Sequence, residues 1–206
     1  TAHPIPPVVA FAPEEYAQRL ARTRETMSSQ GVDVLLVTEL ADICYLTGFN
    51  TFAPYIFSCL IVPLQGELVL QTGEIEVPST LVHSIVREIE AYPWWEGNLA
   101  GASLAGILER RALARGRIGV EFTGRLSYAH FERLRAALSD ATFVDTSGLI
   151  FDQRVVKSPA EIEYMRKAAA ISGEGIRGAR AALATAKYDN DIAAASIRAM
   201  VAAGSE

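Results

Sequence analysis

The 206 residues are enough for one large domain, or for one domain with part of another, and half of them are hydrophobic. The net charge of −5 argues against a nucleic-acid surface, which carries a basic excess; the densest basic stretch, residues 109–117, reads as a solvated helix face. No apolar run reaches the roughly 18 residues of a spanning helix, and the Pro-rich start lacks the basic-then-apolar order of a secretory leader.

In chain order, Pro13 with Glu14 and Glu15 predicts a first helical turn, because proline gives up only an N–H that is orphaned there and the acids suit the positive helix end. Tyr16, Leu20 and Met27 repeat at helical spacing, and Gly31 is expected to end the helix. "VDVLLVT" is β-branched and almost wholly apolar, which predicts a strand buried on both faces. "ICYLTGF" reads as a second, shorter strand breaking at Gly48. "FSCLIVPLQGELVLQTG" holds two apolar runs around Gln65-Gly66 and predicts a hairpin. "SIVREIEAY" alternates poorly and stays open between strand and short helix. "GASLAGILERRALARG" predicts a helix closed by Gly116, then "RIGVEF" a strand. "SYAHFERLRAALSD" predicts a helix with Phe131, Leu134 and Leu138 on one face, and "TFVDTS" a further strand. The alternation predicts a layered α/β domain whose hairpin makes the sheet mixed. From Ser158 onward only helix is expected, in two segments. Ser158-Pro159-Ala160-Glu161 is a capping box with proline at the first helical position, and Ile162, Met165, Ala169 and Ile176 form an apolar stripe behind it.

The search for chemistry is mostly negative. The P-loop and H-E-x-x-H patterns are missing, and Gly97, Gly101 and Gly106 have the wrong spacing for a dinucleotide fingerprint. His3, His83 and His130 are isolated and read as structural or solvent-facing. Glu74 and Glu76 would share a face on extended backbone, which reads as a wet strand edge rather than an acid–base pair. Asp189, Asn190 and Asp191 read as a helix cap and first turn. Ser127 and Ser147 have no base nearby in sequence. Cys44 and Cys59 each sit in an apolar run outside any C-x-x-C pair, which predicts two reduced core residues in a cytoplasmic protein. The stretch that does stand out is "TGFNTFAPYIF": aromatics on a loop that a sheet positions can line a pocket or a subunit contact, or can be core.

Three stretches in order resemble the amino-terminal domain of the creatinase, prolidase and aminopeptidase P family. Phe11, Glu15, Tyr16, Arg19 and Leu20 match its F-x-x-x-E-Y-x-x-R-L start. Gly31, Asp33, Leu35 and Thr38 match its second element, and Tyr45, Leu46, Thr47, Gly48 and Phe49 its Y-L-T-G-[FY]. Asp42 departs from the pattern, in which asparagine is common. Arg154, Lys157, Ser158, Glu161, Ile162 and Ala168 resemble the junction into the "pita-bread" catalytic domain.

The resemblance implies a mixed, ribonuclease-H-like α/β domain over residues 1–156, its central sheet flanked by helices. Residues 157–206 would then be the first helices of a truncated catalytic domain. It further implies a homodimer whose loop residues Phe49, Asn50, Thr51, Phe52 and Tyr55 contact substrate or the partner subunit. No catalytic or metal residue is expected within this chain. The parent enzyme would use two divalent ions (Mn, Co or Zn) held by two Asp, one His and two Glu, or no metal if it is creatinase-like. Its substrate would be an Xaa-Pro peptide or a small zwitterion. The same scaffold also serves as a non-catalytic peptide- or protein-binding module, which is the alternative reading.

Overall fold

The computed structural model describes residues 6–205, so His3 lies outside it. The chain divides into two compact units, Thr1–Val155 and Val156–Glu206.

In the first unit, helix α1 (Pro13–Ser29) leads into β1 (Val34–Val37), α2 (Leu40–Thr47), β2 (Cys59–Pro63) and β3 (Val69–Gly73). A 3₁₀ turn at Glu74–Glu76 precedes α3 (Val77–His83) and β4 (Glu88–Tyr92). After a second such turn, Trp94–Leu99, come α4 (Ala100–Arg110), β5 (Gly116–Val120), α5 (Tyr128–Ala137), β6 (Ala141–Asp145) and α6 (Leu149–Val155). The strands form one sheet in the order β4-β3-β2-β1-β5-β6. β2 runs antiparallel to both β1 and β3, whereas the β3–β4, β1–β5 and β5–β6 pairs are parallel. The sheet is therefore mixed, as the hairpin requires.

Strand alternation sorts the core into two layers. Val34 and Leu36 of β1 point to one face with Ile61 and Val69, against Leu104, Ile107 and Leu108 of α4 and Leu134 of α5. Leu35 and Val37 point to the other, with Leu60, Val62 and Leu70, against Met27 of α1, Ile43 and Leu46 of α2 and Ile150 of α6. Each such aliphatic side chain contributes about 1.5–3 kcal/mol when fully buried. Both faces of β1 are covered, which is why its sequence is a continuous apolar run.

Two expectations change, one open stretch resolves and one further helix joins the fold. "ICYLTGF" is not a strand: residues 40–47 are α2, with the Glu39 side chain accepting from the Ala41 N–H and Gly48 closing the helix at φ 78°. Ile43, Leu46 and Thr47 are all buried at helical spacing, a pattern that a short apolar run shares with a strand. "REIEAY" resolves as β4. Gly116 opens β5 rather than closing α4, which ends at Arg110. Residues 149–155 form α6, a helix too short to show a period in sequence.

The residues that begin the family resemblance form one buried cluster. Arg19 is 1% exposed. Its guanidinium carbon lies 4.4 Å from the centre of the Phe11 ring and 4.2 Å from that of Tyr45. It donates to the Tyr45 carbonyl at 2.8 Å and pairs with Glu15 at 3.2 Å. A buried charge needs this degree of pairing to be tolerated.

In the second unit, α7 (Pro159–Ala182) and α8 (Asp189–Ala202) make a helical hairpin. The Ser158 capping box forms: its hydroxyl accepts from the Glu161 N–H at 3.2 Å, and the Glu161 carboxylate accepts from the Ser158 N–H at 2.7 Å. At α8 the Asp191 carboxylate accepts from the Lys187 and Tyr188 N–H groups, so Tyr188, not Asp189, is the cap position. Small residues let the helices meet, with Gly175 against Met200 and Gly178 against Ala195 and Ala199. Within this unit Met165 and Ile176 of the apolar stripe stay exposed.

Candidate functional site

The loop of residues 48–57 is short and firmly anchored. Phe49 is buried in the core layer beneath α2, so it has no surface to offer a ligand or partner. The carboxylate of Glu76, itself fully buried, accepts from the Thr51 hydroxyl at 2.7 Å and from the Ala53 N–H at 3.1 Å. Ser79 donates to the Asn50 carbonyl at 3.0 Å. Phe52 and Tyr55 are left exposed, at 65% and 73%. Glu74 and Glu76 therefore do not share a wet strand edge: they sit in a helical turn, Glu74 in solvent and Glu76 as the internal anchor of the loop.

Downstream of Tyr55 the surface opens into a groove of about 570 Å³ walled by Tyr55, Phe57, Tyr92, Trp94, Trp95 and His130. Trp94 and Trp95 meet edge to face at 6.2 Å, and the Phe57 ring lies 5.2 Å from that of His130. Tyr92 donates its hydroxyl to the Phe57 carbonyl at 2.8 Å, and burial pushes that phenol up to about 12, so it remains protonated. Gly73 fixes the floor: a Cβ there would lie 2.9 Å from both Ile56 and Trp94. Among the described residues the wall contains no Asp, Glu, Cys, Lys or Arg. Such a surface can grip apolar, aromatic or cationic groups.

Trp94 and Trp95 were not among the expected site residues. The only two tryptophans of the chain stand side by side after Pro93, and that pairing was the available signal. His130 lies on α5 as expected and contributes to the groove wall; His83 ends α3, half-buried. Ser127 caps α5 by accepting from the His130 N–H, and Ser147 accepts from the N–H groups of Phe122 and Thr123; both hydroxyls serve the backbone. Cys59 is core and its burial drives the thiol upward, but Cys44 lies on the exposed side of α2, contrary to expectation, and both are free thiols. Asp42 is buried in the first turn of α2 and pairs with Arg154 at 2.6 Å. Among the described residues no three His, Cys, Asp or Glu side chains gather to hold a metal ion, and no helix is long and apolar enough to cross a membrane.

A family model described as the creatinase/prolidase N-terminal domain matches residues 19–156. The chain belongs to the creatinase/prolidase family. It is 31% identical to an uncharacterised hydrolase/peptidase of Sinorhizobium fredii, across 94% of this chain and 52% of that protein. It is 30% identical to the ectoine hydrolase of Halomonas elongata, across 78% of this chain and 42% of that enzyme. This member of the family thus spans about half the length of the curated relatives it matches. Among solved structures, the X-Pro aminopeptidase of Thermotoga maritima superposes with a TM-score of 0.75 at 20% identity, over 91% of this chain and 50% of that one. At that identity the likeness speaks for the fold.

Proposed function

We propose that residues 1–156 are the N-terminal dimerisation and substrate-loop domain of a longer C–N hydrolase, and that residues 157–206 open its pita-bread catalytic domain. The observation that carries this reading is the aromatic groove beside Tyr55, which is built for contact and, among the described residues, has no carboxylate in its wall. The anchored loop puts Tyr55 in the groove wall and leaves Phe52 exposed, and these two rings contact substrate or a second subunit. The exposed apolar residues of α7 supply a face that a further domain would cover. The two divalent ions implied by the family resemblance do not fit the residues present, since the described residues form no cluster of ligands; no hydrolytic step is assigned to this chain. An Xaa-Pro peptide or a small zwitterion is the substrate class this reading carries.

The test compares the 206-residue chain with the full-length protein, using an Xaa-Pro dipeptide, creatine and ectoine as probes, with and without Mn²⁺ or Co²⁺. Turnover of one probe is expected from the full-length protein and none from the 206-residue chain. Cleavage by the short chain overturns the domain assignment. A full-length protein that binds peptide but turns over none of the probes favours the binding-module reading instead.

A further inference from the structure

Away from the groove, three ionisable side chains far apart in sequence meet at the carboxyl ends of β1 and β5. Glu121 follows β5, Asp42 lies in the first turn of α2, and Arg154 is near the end of α6. Glu121 is 4% exposed and Asp42 2%. One Glu121 oxygen, Oε2, accepts from the backbone N–H of Thr38 at 3.1 Å and of Glu39 at 3.0 Å, tying the loop after β5 to the start of α2. The Glu121 carboxyl and the Asp42 carboxyl line the same crevice. Two ionised carboxylates buried side by side repel each other, and a proton on one of them removes that repulsion. The other side of Asp42 takes the Arg154 guanidinium at 2.6 Å. Gly124 packs directly on Thr38 and Glu121, leaving no slack on that side. The remaining side is open: a crevice of about 430 Å³, lined by Asp42, Glu121, Ser147, Phe151 and Arg154, gives solvent access to the pair.

We propose that Asp42 and Glu121 hold a single proton between them, and that its loss to solvent is a pH-operated latch on the contact between α2 and α6. With the proton in place, Glu121 donates to Asp42, and the Asp42 carboxylate pairs with the Arg154 guanidinium. When the proton leaves through the crevice, the cluster gains one negative charge and the Asp42 and Glu121 carboxylates repel each other. The relief available is for one carboxylate to turn into the crevice and take on water. That motion frees either the Thr38 and Glu39 amides or the Arg154 end of α6. The chain leaves the first unit at Val155, the residue after Arg154, so the latch governs how firmly that exit is held.

The charged and titratable groups facing the pair are few. Glu39 and Asp42 come from α2, Arg154 from α6 and the Cys59 thiol from β2; Asp145, at the end of β6, accepts instead from the Ser147 N–H. Burial, together with the neighbouring Asp42 carboxyl, pushes the Glu121 carboxyl up to about 7, while the Glu39 and Thr38 amides oppose the rise. The sign follows: a carboxyl raised on folding stabilises the fold most fully below the ordinary glutamate range. That contribution falls as pH rises through about 7 and is flat above it.

The experiment is a carbon-detected NMR titration of the Glu121 carboxyl in the 206-residue chain, with amide exchange at Thr38 and Glu39 at about pH 6 and about pH 8, corrected for intrinsic rates. It uses wild type, Asp42→Asn and Glu121→Gln. In wild type Glu121 is expected to titrate near neutrality, and amide protection to fall on the order of tenfold across that interval. Asp42→Asn, which donates from an amide and removes the like charge, is expected to return Glu121 toward the ordinary glutamate range. Glu121→Gln, which mimics the protonated form, is expected to keep protection independent of pH. A wild-type Glu121 that titrates as an ordinary glutamate overturns the proposal, as does an unmoved titration in Asp42→Asn. If Glu121→Gln does not fold, wild type and Asp42→Asn alone decide. None of these readouts depends on substrate turnover, so the latch and the proposed function can fail separately.

Discussion

Two aromatic clusters in the first unit use similar residues to opposite ends. Around Arg19, the rings of Phe11 and Tyr45 lie within 4.4 Å of a guanidinium that is almost wholly removed from water. Around Trp94 and Trp95, the rings face solvent, and Tyr92 beside them donates to the Phe57 carbonyl. The difference teaches that an aromatic residue is not a site by its identity. It becomes structural when a buried polar partner saturates it, and available for contact when the backbone beneath it is saturated and the ring is not.

The sharpest way to break this contrast is to remove the cation from the buried cluster. Arg19→Ala strands Glu15 and the Tyr45 carbonyl, and is expected to cost about 3–5 kcal/mol in chemical denaturation. Gly73→Ala attacks the groove from below, because the added methyl meets Ile56 and Trp94 at 2.9 Å. About 1–3 kcal/mol of destabilisation is expected, with a change in tryptophan fluorescence that reports the displaced ring. Truncating the exposed rings themselves sits at the small end. Tyr55→Ala and Trp95→Ala are expected to change stability by no more than about 0.5 kcal/mol. In the full-length protein, however, they should lower turnover or subunit association, read by steady-state kinetics and analytical ultracentrifugation. A large stability loss in either variant would move the groove into the structural class.

Much of the architecture was legible because burial writes a period into the chain. The β1 run, the hairpin around Gly66, helices α1, α4 and α5, and the Ser158 capping box all carry signals confined to a few neighbouring residues. The loop at Phe52 and Tyr55 was legible too, as aromatics placed just after an apolar run. Phe49 was not separable from them, since only the packing under α2 sends it inward. α2 was misread because seven apolar-rich residues fit a strand as well as a helix; the deciding contacts come from the opposite sheet face and from Arg19, which bonds the Tyr45 carbonyl.

The sequence by itself determined the layered α/β class, the family and the change to pure helix after Ser158, because these rest on local pattern and on motifs in order. The tertiary structure alone decided which aromatics face water, that Glu76 anchors the loop, and that Asp42 meets Glu121 and Arg154. Those contacts join residues tens of positions apart, and nothing in the local sequence encodes a distance that only the closed sheet creates.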